Sequence, residues 1–333
     1  MLIIACLSGG AGIGLWVNAF LSEPLQLSGD EYRLDVIKGS SLRSVAVALA
    51  DDGLLRHPRI FALIGRISGK AERIQAGEYA LTPEVTPGSL LDQMVNGRVK
   101  LHSLTIVEGW TVSDLLGAIR RHPALEQTLE IETPVDLIDL LDLKYEHPEG
   151  VFFPDTYKFP RGTTDAELLE RAYDLMQVHL ARAWENRRPG LILTDPYQAL
   201  IMASIVERES ALASERPEIA GVFLRRLEKN MRLQTDPTVI YGLGSSFDGN
   251  LTRDHLETDN PYNTYKRKGL PPTPIALPSE SALAAAVNPS PGESLYFVAT
   301  GRSDGSHYFT ATLEEHNAAV ARYLAYLRKE KNR

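Results

Sequence analysis

Thr194-Asp-Pro-Tyr-Gln-Ala-Leu-Ile-Met-Ala-Ser-Ile-Val-Glu-Arg-Glu209-Ser210 reads as one helix that carries a carboxylate out of an apolar run. Thr194 suits an N-cap, and Asp195 and Pro196 suit a first turn, so the pattern predicts a helix over 195–209. At 3.6 residues per turn Glu209 stacks on Ile205 and Val206, with Met202 a turn further back. Glu207 is rotated by roughly 200° from Glu209, onto the line of Leu200, Ala203 and Ser204. Burial and the negative helix end both favour a protonated carboxyl at Glu209. A carboxylic acid that stays protonated near neutral pH is what a general acid must be. The competing expectation is a frayed helix end with Glu209 in solvent, since unpaired Glu is rarely buried.

Outward from this helix, the chain divides by composition. Met1 to Leu21 carries no charge and is long enough for one bilayer crossing of about 20 residues. We read 1–21 as a transmembrane anchor and 22–31 as a linker. No Ala-x-Ala cleavage site favours a signal peptide, and no Lys or Arg precedes the run to orient it. An anchor there places the remaining residues on one side of the membrane, outside the cytoplasm. Gly10-Ala-Gly-Ile-Gly14 lacks the preceding strand and following acid of a dinucleotide loop, and reads as small-residue membrane sequence.

Cys6 is the only cysteine, so neither a disulfide framework nor a cysteine metal site is expected. None of the eight histidines falls in a His-Glu-x-x-His pattern. No metal or cofactor is called for. A net charge of -8 argues against nucleic acid as a partner.

Residues 32–107 alternate strand and short-helix signals: strand-like Tyr32 to Ile37, a helix from Leu42 to Asp51, another over His57 to Ile67. Strands at Ala76–Leu81 and Lys100–Val107 flank a helix opened by Thr86-Pro-Gly. In the first of these helices the expected apolar positions are Val45, Val47, Ala48 and Leu49. The pattern predicts a small α+β module. Gly39-Ser-Ser-Leu, the helix after it and the Leu54-Leu55 step resemble a LysM-like domain.

From 108 to 333 the sequence turns mainly helical, with helices expected over about 112–121, 134–142, 164–186, 195–209, 214–229 and 312–330. Leu295-Tyr-Phe-Val-Ala-Thr and His307-Tyr-Phe-Thr-Ala-Thr flank a glycine-containing loop and predict a β-hairpin. Three segments that read as loops are dense in hydrogen-bonding and aromatic residues: Glu149 to Tyr157, Leu233 to Gly242, and Asp259 to Pro278. Sugar rings offer hydroxyl rims and C–H faces, so a glycan cleft needs amides and carboxylates beside aromatic platforms. Each loop alone also has a structural explanation. Asp236-Pro237 suits the cap of a short helix, and Asn260 and Asn263 suit turns.

Ala203-Ser-Ile-Val-Glu-Arg-Glu209-Ser, Val222-Phe-Leu-Arg-Arg-Leu, Met231-Arg-Leu-Gln-Thr-Asp-Pro-Thr-Val-Ile-Tyr-Gly, Tyr262-Asn-Thr-Tyr and Gly269-Leu-Pro-Pro-x-Pro-Ile together resemble the YceG-like family of membrane-anchored endolytic murein transglycosylases. The Glu-Ser pair also resembles the catalytic corner of soluble lytic transglycosylases, which selects Glu209 over Glu207. The resemblance implies an α+β protein with a single anchor helix, a LysM-like module and a helical catalytic domain. It implies non-hydrolytic cleavage of the β-1,4 bond between N-acetylmuramic acid and N-acetylglucosamine in nascent glycan strands, leaving 1,6-anhydromuramyl ends. One Glu acts there first as acid and then as base, so a two-carboxylate arrangement is not required. Carried over residue by residue, Glu209 is the catalytic candidate. Gln234, Thr235, Asp236, Tyr241, Tyr262, Asn263 and Tyr265 are the substrate-binding candidates. Glu207 and Ser210 are supporting, with Glu207 the other candidate for the acid. Implied partners are peptidoglycan strands and peptidoglycan synthases, at the inner (plasma) membrane with the catalytic domain extracytoplasmic. A glycan-binding scaffold and a muramidase-type hydrolase are the rival functions.

Overall fold

A computed structural model describes residues 12, 14–210 and 212–331. Its contacts divide the chain into two compact units. One runs up to Ser103 and takes in Lys158–Thr163; the other comprises Leu104–Tyr157 and everything from Thr164 onward.

The first unit opens with helix α1 (residues 14–22). The anchor read over 1–21 lies largely outside the described residues, and no described helix is long and apolar enough to cross a membrane. At the end of α1, Phe20 is buried in the unit's core beside Leu25. Strands β1 (Tyr32–Val36) and β2 (Gly77–Leu81) pair antiparallel, with Leu34 opposite Tyr79. Between them run α2 (Leu42–Asp51) and α3 (Pro58–Ile67), and α4 (Pro87–Val95) follows β2. Ser41 and Thr86 cap α2 and α4 through reciprocal bonds with Ser44 and Ser89 three residues on, which fixes both helix starts.

The face of α2 that packs inward is Leu42, Val45, Ala46 and Leu49. Val47 and Ala48, expected inside, are exposed. Leu42 lies three residues before Val45 and four before Ala46, and Leu49 follows these two by four and three, so the four complete one stripe, whereas Val47 and Ala48 fall off it. Glu78 is buried in this unit and held by Arg161 at 2.5 Å. A buried carboxylate needs such a partner, and this one ties Lys158–Thr163 to the unit.

Strands β3 (Leu101–Thr105) and β5 (Thr156–Pro160) pair, as do the two-residue strands β4 (Leu125–Glu126) and β6 (Thr163–Thr164). The second unit is built from α5 (Val112–Arg121), a 3-10 turn at Pro134–Asp136 running into α6 (Leu137–Leu140), α7 (Asp165–Glu185), α8 (Pro196–Glu209), α9 (Arg216–Glu228), α10 (Asp236–Leu243), α11 (Arg253–Glu257), α12 (Glu280–Val287) and α13 (Leu313–Lys331). The hairpin β7 (Tyr296–Ala299) and β8 (His307–Thr310) pairs Phe297 with Phe309. Helix α8 is the unit's central element, packed against α7, α9, α10 and α12. Every residue from Ala199 to Val206 is buried. A helix apolar all round belongs in a core.

Three helices fall outside those expected over the second unit, and only α10 lies in a segment read as a loop, where Asp236-Pro237 also suited a short helix. Asp236-Pro237 opens α10, and α11 and α12 lie in the stretches after it. α8 is capped by Asp195 and not by Thr194: the Asp195 side chain accepts from the Gln198 amide at 2.9 Å. Proline disfavours the helical region for the residue before it. Asp195, at φ -149° and ψ 164°, therefore stays extended and takes the cap.

Candidate active site

Glu209 ends α8, half-buried, and lines a groove of ≈ 440 Å³ together with Arg226, Gln234, Asp236, Tyr265 and Tyr296. Burial pushes its carboxyl above the ordinary range. Asp236 adds to this, while a hydrogen bond from Thr235 and the charges of His307 and Arg226 pull the other way. The Thr235 hydroxyl donates to Oε1 at 2.5 Å. With Oε1 occupied as acceptor, Oε2 is the oxygen left to carry a proton.

Thr235 is itself held by a threonine cluster. Its amide donates to Thr264 Oγ1 at 3.1 Å, its carbonyl accepts from Thr238 Oγ1 at 2.8 Å, and the Thr238 and Thr264 hydroxyls meet at 2.9 Å. Gln234, just before it, has φ +53°. That left-handed residue turns the chain so that Thr235 and Asp236 follow at the mouth of α10. Asp236 accepts from the Tyr265 hydroxyl at 2.6 Å, and burial raises the Tyr265 phenol.

The expected site residues thus fall into two groups. Gln234, Asp236 and Tyr265 line the groove with Glu209, and Thr235 bonds to Glu209 directly. Asn263 is 1% exposed. Its amide nitrogen donates to the carbonyls of His255, Leu256 and Thr258, and its oxygen accepts from the Tyr265 amide. It holds the loop behind Tyr265. Tyr241 and Tyr262 meet edge to face at 4.9 Å, with the Tyr241 hydroxyl on Glu149 and the Tyr262 hydroxyl on Thr273. Neither is among the groove residues.

Glu207 points elsewhere, as its rotation around α8 requires. It accepts from Arg216 at 2.7 Å, and from the amide and hydroxyl of Ser279 at 2.9 and 2.5 Å. Ser279 caps α12, so this ion pair joins α8, α9 and α12. Ser210 is buried, and its hydroxyl accepts from the Leu212 amide at 3.0 Å, closing the turn after α8.

Three groups escaped the sequence-based expectation. Arg226 and His316 border the groove from α9 and α13. Glu149, 3% exposed, accepts from the Val112 amide at 3.0 Å and from Tyr241 at 3.1 Å, and burial raises its carboxyl to about 7. Glu149 opens one of the three polar and aromatic segments without being among the expected site residues; Gly150 after it has φ +80°, and a Cβ there would stand 2.4 Å from Pro274 Cβ.

The class defined by this fold and site is a two-unit α+β protein whose helical unit presents a single protonation-prone carboxyl to a polar and aromatic groove. The chain belongs to the YceG-like family, whose model matches residues 34–322. It is 30% identical over 328 residues to the endolytic murein transglycosylase of Bacillus subtilis (strain 168), covering 92% of this chain and 88% of that one. It is 27% identical to the endolytic murein transglycosylase of Streptococcus pneumoniae serotype 2, covering 97% of this chain and 64% of the other. A crystal structure of a yceG-like protein from Listeria monocytogenes matches with a TM-score of 0.55 at 31% identity, over 87% of this chain and 99% of that one.

Proposed function

We propose that the protein is an endolytic lytic transglycosylase of peptidoglycan, with Glu209 as its single acid and base. The reading rests on family membership, on the names of the two bacterial relatives, and on one observation of this chain: a carboxyl raised by burial, bonded through one oxygen to Thr235, at the side of a groove.

Glu209 gives its proton to the glycosidic oxygen as the bond from muramyl C1 to that oxygen breaks. The resulting carboxylate then takes the proton of the muramyl 6-hydroxyl, whose oxygen bonds to C1 and closes the 1,6-anhydro ring. The substrate supplies its own nucleophile, so water is not consumed. Gln234, Asp236 and Tyr265 offer hydrogen-bonding partners for the sugar rims, and Tyr265 offers an aromatic ring.

The further parts of the reading are an anchor within residues 1–21, a LysM-like role for the first unit with its β1-α2-α3-β2 order, and an extracytoplasmic catalytic unit. Peptidoglycan synthases that feed it nascent strands are the proposed partners. Analysis of the products from purified murein tests the chemistry. Wild type is expected to release anhydromuramyl ends, and Glu209→Gln to bind strands without releasing them. Reducing ends one water heavier would identify a hydrolase, and no product from wild type would leave a binding scaffold.

A further inference from the structure

Arg226 is 7% exposed and borders the groove beside Glu209. Its hydrogen bonds all run to backbone carbonyls: Nε to Leu295 at 2.6 Å, and Nη1 to Leu233 at 2.6 Å and Arg232 at 3.4 Å. None of these partners is a carboxylate, and none engages Nη2. The guanidinium also lies over the Tyr296 ring, 5.1 Å from its centroid. A buried cation without a counter-ion is costly.

Among the described residues neither acid of the groove hydrogen-bonds to it. Glu209 favours its neutral form, and Asp236 takes the Tyr265 hydroxyl. On the same side, the buried Nδ1 of His316 has no partner among the described residues. Burial and the Arg226 charge together hold the His316 imidazolium form down, so a neutral ring stacks on Tyr296 at 5.2 Å. Among the described residues the groove therefore holds one fixed positive charge, with no hydrogen bond from its Nη2, next to the group proposed to break the bond.

We propose that Arg226 recognises the carboxyl function of the muramyl lactyl ether and so separates muramyl from N-acetylglucosaminyl residues at the subsite beside Glu209. The proposal rests on the transglycosylase reading and adds its specificity determinant. N-acetylglucosamine has only a hydroxyl where muramic acid carries the lactyl arm. In a peptide-free strand that arm ends in a carboxylate; in a peptide-bearing strand it ends in an amide carbonyl. Both accept from a guanidinium, and the carboxylate accepts more strongly because the bond is charge-assisted.

The test is binding to the Glu209→Gln protein, which leaves Arg226 in place, with three tetrasaccharides as probes. These are peptide-free N-acetylglucosaminyl-muramyl tetrasaccharide, the same compound with its lactyl carboxyls converted to amides, and chitotetraose. The expected order is the carboxylate tightest, the amide intermediate, and chitotetraose weaker than the carboxylate by at least about tenfold, with the carboxylate's advantage shrinking as salt rises. Adding Arg226→Met should bring the carboxylate compound down to the level of chitotetraose, and Arg226→Lys should restore part of the gap.

Equal affinities for the carboxylate compound and chitotetraose would overturn the proposal. That comparison needs no Arg226 variant, so a variant that fails to fold does not blunt it. An Arg226→Met enzyme that moves the pH profile of cleavage while keeping the muramyl preference would also overturn it, since the guanidinium would then be tuning Glu209. Wild type that yields anhydromuramyl ends without muramyl preference sinks this proposal alone. Wild type that yields no such ends sinks the transglycosylase reading instead.

Discussion

The Thr235 hydroxyl donates to Glu209 Oε1 at 2.5 Å, and this bond opposes the burial that favours a neutral carboxyl. A general acid works only while protonated, so the alkaline limb of the pH profile reports its pKa. Thr235→Val keeps the shape and deletes the donor. It should raise the Glu209 pKa further and move the alkaline limb of kcat/KM to higher pH. It should also lower kcat by on the order of tenfold, the scale of one hydrogen bond to a charged group at about 1.5 kcal/mol. An alkaline limb that stays in place would show that Glu209 is not the titrating acid.

Glu207 and Glu209 should separate cleanly by stability. The Glu207 and Arg216 side chains are 5% and 7% exposed, and their ion pair ties three helices. Glu207→Ala leaves the buried Arg216 with only the exposed carboxylate of Glu108, 4.0 Å away, as a counter-charge, and losing the close partner of a buried pair costs about 3–5 kcal/mol. Urea unfolding should show that loss, whereas Glu209→Gln should unfold close to wild type because it gives up no ion pair. If Glu207→Gln folded normally and abolished cleavage, the acid would be Glu207.

Much of the site was legible because α8 announces itself: Asp195-Pro196 starts it, an apolar run fills it, and the carboxylate stands at its end. The hairpin and α13 carried equally local signals, in two apolar and aromatic runs about a glycine-containing loop and in Thr312-Leu-Glu-Glu315, where the Thr312 hydroxyl accepts from the Glu315 amide. Helix α10 carried only the Asp236-Pro237 start, because Thr238-Val-Ile-Tyr241 is β-branched and aromatic and would suit a strand. What bends it into a helix is tertiary, the left-handed Gln234 and the threonine cluster behind it. Helix α12 is half alanine, and with Ala284 on its exposed side no continuous polar stripe marks the 3.6-residue period. Arg226 and His316 sit on helices with ordinary polar spacing, and only folding brings them to one groove. Asn263, expected at the cleft, instead holds the loop behind Tyr265.

That placement of Asn263 has its own consequence. Asn263→Ala removes donors to three carbonyls and the acceptor for the Tyr265 amide. Leaving such groups buried and unmet costs about 1–3 kcal/mol. The loss should appear in thermal unfolding. Gln234→Ala, at the groove itself, should instead raise KM with unfolding nearly unchanged. A purely kinetic defect in Asn263→Ala would place that side chain against substrate after all.

Glu149 makes the sharpest pH prediction for the fold. Its carboxyl rises from 4.5 to about 7 because it is buried, although the Val112 amide and Tyr241 hydroxyl partly support its charge. A carboxyl raised on folding keeps its full contribution below the unfolded pKa and loses it as pH climbs through the folded value. The stability of wild type should therefore fall between about pH 4.5 and pH 7, by ~3 kcal/mol at about 1.4 kcal/mol per unit. Glu149→Gln cannot ionise and keeps an oxygen for Tyr241 or Val112. It should match wild type near pH 5 and exceed it by about 1–3 kcal/mol at pH 8. Urea midpoints at the two pH values decide it, and parallel curves for the two proteins would mean that Glu149 does not titrate in this range.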